Sequence, residues 1–320
     1  MKQVPLGKTG THVSVLCLGC MFFGTQIAEE TASQLADHYF ESGGRFFDTA
    51  NNYAFWIDGA TGDESETVLG HWLKSRKNRD QIVLATKVGA RPTWPGGGLE
   101  SWEGLSAHAI EKAIEGSLAR LGTDYIDLYY AHIDDRQTPL EETLATFDRL
   151  VKAGKVRSIG CSNIATWRIE QARNISHTNG WAQYGCVQQR YTYLRPKPGA
   201  DFGIQAHMND DLLDYGKVHN DFSLLAYSPL LSGSYTRKDV PRPEQYVGPD
   251  AEARMSALTT VAKEVGATLN QVVLAWMIQG TPAIMPLIAA STGKQLDENL
   301  GALSVHLTQE HIAFLNTTVG

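Results

Sequence analysis

The chain has 320 residues, 42% of them hydrophobic and 20% charged, with a formal net charge of −7 and a pI near 5.8. That is ample apolar material for a core, and an acidic balance without clustered Lys and Arg argues against a nucleic-acid surface. No apolar stretch approaches the ~20 residues that span a bilayer, and the MKQVPLGKTG opening lacks the apolar centre of a signal peptide, so the expected location is the cytoplasm.

The first segment, VPLGKTGTHVSVL, holds two short apolar pieces about a glycine-containing turn and predicts a β-hairpin ahead of the main fold. Four cysteines in a chain of this length do not suggest a disulfide framework. Cys17 and Cys20 make a C-x-x-C spacing, but no further ligands accompany it. Two half-buried thiols on an early strand and its loop are expected, and no metal. From Glu29 to Ser42 the apolar residues Ala32, Leu35, Ala36, Tyr39 and Phe40 follow the stripe of an amphipathic helix, which Gly43 and Gly44 end. RFFDT then reads as a buried strand. The KSRKNR run at Lys74 to Arg79 reads as a solvated helix end. Ile110, Ala113, Ile114, Ser117, Leu118 and Leu121 make the next helical face, closed by Gly122, and IDLYYAH follows as a strand. Thr138-Pro139-Leu140-Glu141 predicts a helix start with a Thr138–Glu141 capping box and Pro139 at the first helical position. Leu140, Leu144, Phe147, Leu150 and Val151 are its inward face, and Gly154 stops it. Thr308 to Glu310 caps a last helix.

VSVLCLG, RFFD, IVLATK, IDLYYAH, VRSIG, YGCVQQ, FSLLAY and AIMPLI make eight strand candidates, separated mostly by helical patterns. Strand then helix, repeated, argues for parallel pairing with crossover helices. The expected fold is a (β/α)8 TIM barrel spanning 1–320 as a single domain, with the short N-terminal β-hairpin in front. An open doubly wound sheet is the alternative, weakened because no G-x-G-x-x-G follows the first strand. Two Pro- and Gly-rich segments, Gly89 to Gly104 and Leu231 to Asp250, follow strand ends and should overhang the same mouth.

Strand ends carry the chemistry. Asp48, Lys87 and His132 close three apolar stretches, and Tyr53 sits just beyond Asp48. In a parallel barrel the C-terminal strand ends converge on one face, where active sites form. A buried Lys87 needs a partner, which Asp48 supplies. The Lys87 cation beside Tyr53 is expected to lower the phenol's pKa from about 10 and make it a usable proton donor. His132 would then orient a carbonyl. Taken singly, each of these residues has a structural reading: an ion pair at a strand end, a tyrosine on the rim, a satisfied core histidine. No H-x-H or H-E-x-x-H stands at a strand end or on a helix, which argues against a metal-dependent barrel hydrolase.

The chain resembles the aldo-keto reductase superfamily nearly end to end: LGKTG, LCLGCMFFG, FFDTANNY with GDESE behind it, LATK, SLARLGTDYIDLYYAH, GKVRSIGCSN, VQQRY, AYSPL and QLDENL. Asp48, Tyr53, Lys87 and His132 match the family's catalytic tetrad. The resemblance implies an eight-stranded α/β barrel and a nicotinamide cofactor held without a Rossmann domain. It implies that Ser162, Asn163 and Gln188 hold the carboxamide and that Tyr227 stacks on the ring. Ser228, Pro229, Leu230 and Gly233 then cradle the pyrophosphate. Without the resemblance, Ser162 and Asn163 read as a helix-capping turn before Trp167 and Gln188 as a buried amide. At the adenosine end Ser291, Thr292 and Gln295 lie near a 2′-phosphate, with Lys294 the nearby cation and no arginine clamp. The resemblance implies that Glu298 and Asn299 contact the adenine. NADP(H) is implied, with NAD(H) as the alternative.

Met21, Phe22, Trp56, Trp94 and Tyr191 fall where the resemblance puts the substrate pocket, and a small aldehyde, ketone or sugar is expected. The implied activity is reversible carbonyl reduction with Tyr53 as general acid. A sugar or polyol dehydrogenase is the oxidative variant, and a cofactor-sensing interaction subunit like the channel β-subunits is the non-enzymatic rival.

Overall fold

The computed structural model of the protein describes residues 1–94, 97–98 and 101–317. The hairpin forms from β1 (Gln3–Pro5) and β2 (His12–Ser14), which pair antiparallel. The eight expected strands follow as β3 (Cys17–Gly19), β4 (Phe46–Asp48), β5 (Val83–Val88), β6 (Ile126–Ala131), β7 (Val156–Ser162), β8 (Tyr184–Arg190), β9 (Ser223–Tyr227) and β10 (Ile284–Ile288). They pair in parallel in chain order, and β10 closes the ring against β3, with Leu287 opposite Cys17 and Ile288 opposite Leu18.

Around them lie α1 (Glu29–Glu41), α2 (Glu64–Arg76), α3 (Ala107–Leu121), α4 (Leu140–Lys152), α5 (Thr166–Asn179), α6 (Asp210–Val218), α7 (Pro249–Val265), α8 (Leu269–Gln279), α9 (Gly293–Gly301) and α10 (Gln309–Thr317). Among the described residues no helix is long and apolar enough to cross a membrane.

Side chains alternate across a strand, and this parity sorts the barrel. Cys17, Phe46, Ala85, Leu128, Tyr130, Cys186, Leu225, Met285 and Leu287 fill its interior. Their neighbours Leu18, Phe47, Leu84, Tyr129, Ile159, Val187, Leu224 and Ile288 pack outward, under the helices. The helices answer with their own apolar faces. On α4, Leu140, Leu144, Phe147 and Leu150 are buried, each contributing about 1.5–3 kcal/mol relative to exposure. The hairpin belongs to the interior: Leu6 and Val13 join the inner cluster from the N-terminal end and close the floor.

Three local expectations are corrected. Pro139 is the N-cap of α4, not its first helical residue, and the Thr138–Glu141 capping box does not form. The helix opens one residue later, with Pro139 O accepting from Thr143 N at 3.3 Å, and the Thr138 hydroxyl, outside it, donates to Asp135 Oδ2 at 2.7 Å. Cys17 and Cys20 are fully buried rather than half-buried. Burial pushes both thiols well up, and among the described residues no cluster of three His, Cys, Asp or Glu could hold a metal. The segment from Leu231 to Asp250 is not wholly irregular: it holds 3-10 turns at Leu231–Gly233 and Glu244–Tyr246.

Candidate active site

Strand parity builds the site. Each of Asp48, Lys87, Gln188 and Tyr227 lies two residues beyond an interior side chain of its own strand, and His132 two beyond Tyr130. All five therefore point inward where the strands end. Asp48 and Lys87 are 0% exposed. Lys87 Nζ pairs with Asp48 Oδ1 and donates to Thr49 O at 2.8 Å and to Tyr53 Oη at 2.6 Å. Three partners for three ammonium protons are what allow a charge so deep. Tyr53 Oη donates to Asp48 Oδ1 at 3.1 Å, and Gln188 Nε2 donates to Asp48 Oδ2 at 2.8 Å. One carboxylate thus organises lysine, tyrosine and glutamine.

His132 follows β6, its N–H held by Val88 O at 2.9 Å. Its ring lies 5.8 Å from the Tyr53 ring, nearly perpendicular to it. Nδ1 is buried without a partner. An orphaned N–H costs more than an orphaned lone pair, so the proton belongs on Nε2, the nitrogen left to face a ligand.

The protonation states correct one expectation. Burial, then the Asp48 charge and hydrogen bond, raises the Tyr53 phenol well above its ordinary value, opposite to the lowering expected from Lys87. Partial loss of water around a phenolate and the adjacent Asp48 carboxylate both disfavour the charged form. Burial lowers Lys87 despite Asp48. Burial and then Lys87 hold His132 well below 6.5, so it is neutral.

Behind the tetrad, Ser162 and Asn163 do not cap α5, whose N-cap is Ala165. Ser162 Oγ donates to Gln188 O at 2.6 Å, and Asn163 Nδ2 donates to His132 O at 3.0 Å. Asn163 Oδ1 accepts from Tyr227 Oη at 2.8 Å and from Ala206 N at 3.1 Å. The turn after β9 is strained: Ser228, Leu231 and Ser232 have φ of 55°, 47° and 58°, and Gly233 of 93°. Left-handed backbone at non-glycine residues persists where the surroundings enforce it. The turn is closed by its own backbone: Leu231 N donates to Ser228 O, Gly233 N to Leu230 O and Ser234 N to Leu231 O. Two polar residues, a half-buried aromatic and a left-handed turn, side by side, are compatible with a nicotinamide dinucleotide.

At the exit of β10, Thr292 Oγ caps α9 by accepting from Gln295 N at 3.3 Å. Gln295 Oε1 accepts from Ser291 N at 2.8 Å and Oγ at 2.9 Å. Glu298 Oε1 accepts from Asn270 Nδ2 at 3.3 Å, and Asn299 Nδ2 donates to Ala289 O at 3.0 Å.

The substrate candidates are less united. Met21 and Phe22 are half-buried beyond β3. Trp56 and Trp94 are 51% and 55% exposed. Tyr191 stacks on Trp276 of α8, with ring centroids 5.8 Å apart, and both line a crevice of about 590 Å³ between α6 and α8. Its ring partner therefore lies in the helical layer.

Some residues that shape the site were missed by sequence reasoning. Asn51 and Asn52 are 1% and 3% exposed, and their partners come from the loop after β5: Glu103 and Arg91 for Asn51, Ala90 for Asn52. The signal was two consecutive amides between buried strand ends, since buried amides demand partners.

A model of the Aldo/keto reductase family matches residues 15–318. The chain belongs to the aldo-keto reductase family. Norsolorinic acid reductase stcV from Emericella nidulans is 32% identical over 324 residues, covering 97% of this chain and 79% of the relative. The uncharacterized oxidoreductase YrpG of Bacillus subtilis is 32% identical over 329 residues, covering 99% and 95%. Among solved structures, a thermostable aldo-keto reductase in complex with the inhibitor epalrestat superposes with a TM-score of 0.77 at 27% identity, covering 99% of both chains. Aldo-keto reductases are oxidoreductases that use nicotinamide cofactors, generally NADP(H), and the reductase names among these relatives support carbonyl reduction.

Proposed function

We propose that this aldo-keto reductase reduces aldehydes and ketones to alcohols with Tyr53 as proton donor and NADP(H) as preferred coenzyme. The observation that carries the reading is the bond of 2.6 Å from a buried Lys87 Nζ to Tyr53 Oη, beside a neutral imidazole. A reduced nicotinamide, when bound, would supply the hydride. Tyr53 Oη keeps its proton at neutral pH and turns it from Asp48 to the substrate oxygen as negative charge develops there. The phenolate left behind takes a charge-assisted bond from Lys87 Nζ, which Asp48 balances. His132 donates Nε2–H to the same substrate oxygen and sets the carbonyl's angle. Lys87 therefore acts on the phenolate formed during reaction rather than on the resting phenol.

Ser162, Asn163 and Gln188 would hold the carboxamide, Tyr227 the ring, and Ser228, Pro229, Leu230 and Gly233 the pyrophosphate. Ser291, Thr292, Gln295 and Lys294 at the positive end of α9 favour a 2′-phosphate, while Glu298 and Asn299 lie beside the adenine. Exposed Trp56 and Trp94 suit a small carbonyl compound with an apolar or sugar face.

Tyr53→Phe tests the reading. Turnover should fall by about 10²–10⁴-fold, while NADPH still quenches the protein's fluorescence with similar affinity; unchanged turnover removes Tyr53 from the mechanism. Consumption of NADPH and NADH over a panel of aldehydes, ketones and aldoses reads coenzyme and substrate class together. Faster NADH use overturns the coenzyme assignment. Tight NADPH binding without turnover on any carbonyl favours a cofactor-sensing interaction subunit.

A further inference from the structure

We propose that Glu103 and Arg91 are positioning residues that clamp the segment carrying Tyr53 onto the segment carrying Lys87, acting through Asn51. The inference rests on the reading of Tyr53 as the proton donor. Glu103 lies far along the loop after β5, yet its Oε1 accepts from Asn51 Nδ2 at 2.8 Å and from Gly89 N at 2.8 Å. Asn51 stands two residues before Tyr53, and Gly89 two after Lys87. One carboxylate oxygen therefore ties the two arms of the catalytic pair.

Arg91 grips the other side of the same peptide: its Nη1 donates to Asn51 O at 2.6 Å and to Asp63 Oδ1, the residue before α2, at 2.5 Å. Asn51 N donates to Lys87 O at 3.3 Å, and Asn52 Nδ2 to Ala90 O at 2.8 Å. The clamp is self-braced, because Glu103 N donates to Arg91 O at 2.8 Å.

The need for it is visible in the backbone. Residues 49–61 form neither helix nor strand. Ala54, next to Tyr53, sits at φ 63°, a left-handed conformation that a non-glycine residue holds only under constraint. A tyrosine on such a segment keeps a 2.6 Å contact with a strand-borne amine only if both arms are fixed. A misplacement of about 1 Å costs on the order of 100-fold in rate.

Glu103→Ala and Glu103→Gln are the informative pair. Glutamine keeps an oxygen that accepts from both Asn51 and Gly89, whereas alanine removes it. With melting temperature measured alongside, Glu103→Ala should lose roughly 10- to 100-fold in kcat, with NADPH affinity within about twofold of the parent. Glu103→Gln should retain kcat within about threefold. The pH profile of alcohol oxidation should move upward in Glu103→Ala, because a displaced Lys87 stabilises the phenolate less.

Parental kcat in a folded Glu103→Ala protein overturns the clamp. So does an equal loss in Glu103→Gln, which would mean that the charge, not the acceptor geometry, matters. If Glu103→Ala does not fold, Asn51→Asp sets two carboxylates face to face and should cut kcat. Adding Glu103→Gln, whose amide donates to the new carboxylate, should restore it; a double variant no better than Asn51→Asp sinks the proposal. The Tyr53 reading fails separately, on unchanged turnover of Tyr53→Phe, whatever Glu103 does.

Discussion

At the residue scale, burial and the fixed charges of Asp48 and Lys87 together set the protonation of this site. Tyr53 is held above its ordinary value by burial and by Asp48, and His132 below its own by burial and Lys87. Both displacements favour a protonated phenol and a neutral imidazole across the physiological range, which is the form the proposed carbonyl reduction would consume. The kcat of reduction should accordingly stay flat from about pH 6 to about pH 9, since ordinary values of about 6.5 and 10 are pushed outward. Alcohol oxidation needs the phenolate and should rise through the alkaline range. Profiles in both directions check this; a reductive limb centred near pH 8 would contradict it.

At the element scale, the connection after β6 shows one carboxylate ordering a stretch of the mouth. Asp135 accepts from Leu105 N, Gln137 N, Thr138 N and Thr138 Oγ. These bonds fix the path from His132 to α4 and dock the end of the β5–α3 loop. They hold the Asp135 carboxyl below the ordinary range against the opposing effect of burial. A depressed carboxyl contributes stability at neutral pH that is lost as pH falls through its folded value. Asp135→Ala should lower stability by about 2 kcal/mol at pH 7. The gap to the parent should narrow on acidification toward pH 3, read as melting temperature against pH.

At the scale of the whole molecule, the hairpin and the barrel share one interior. Gly7 sits at φ 52°, and a Cβ there would lie 2.5 Å from Gly185 O and 2.6 Å from Asp221 O. Its N–H is bonded to Ser223 Oγ at 2.8 Å, at the start of β9. Gly185 in turn leaves room for Thr9, whose Cγ2 would lie 2.4 Å from an added Cβ. Gly7→Val combines backbone strain with overpacking and should cost about 2–4 kcal/mol. In calorimetry that loss should appear as one transition shifted down by several degrees, because Leu6 and Val13 are part of the barrel core. A separate early transition, with the main one unmoved, would show the hairpin to be an appendage.

Periodicity reports what each element buries, and that was enough for the strand count, the parallel order and the hairpin. It was enough also to place Asp48, Lys87 and His132 at strand ends, since each closes an apolar stretch of the local sequence, whereas their facing inward came from the parity of the folded strands. Closure of the ring was not local: it depends on Cys17 and Leu18 meeting Leu287 and Ile288 from the other end of the chain. The Glu103–Asn51 bond spans 52 residues between two irregular loops, where no repeat announces a contact. The cap of α4 turned on Pro139 O, rather than Thr138, opening the helix, and the direction of the Tyr53 shift turned on burial together with the Asp48 charge. Backbone preference and side-chain alternation act over a few residues and can be read along the chain. Dielectric depth and loop-to-loop hydrogen bonding exist only once distant segments have been brought together, so the tertiary structure alone decided them.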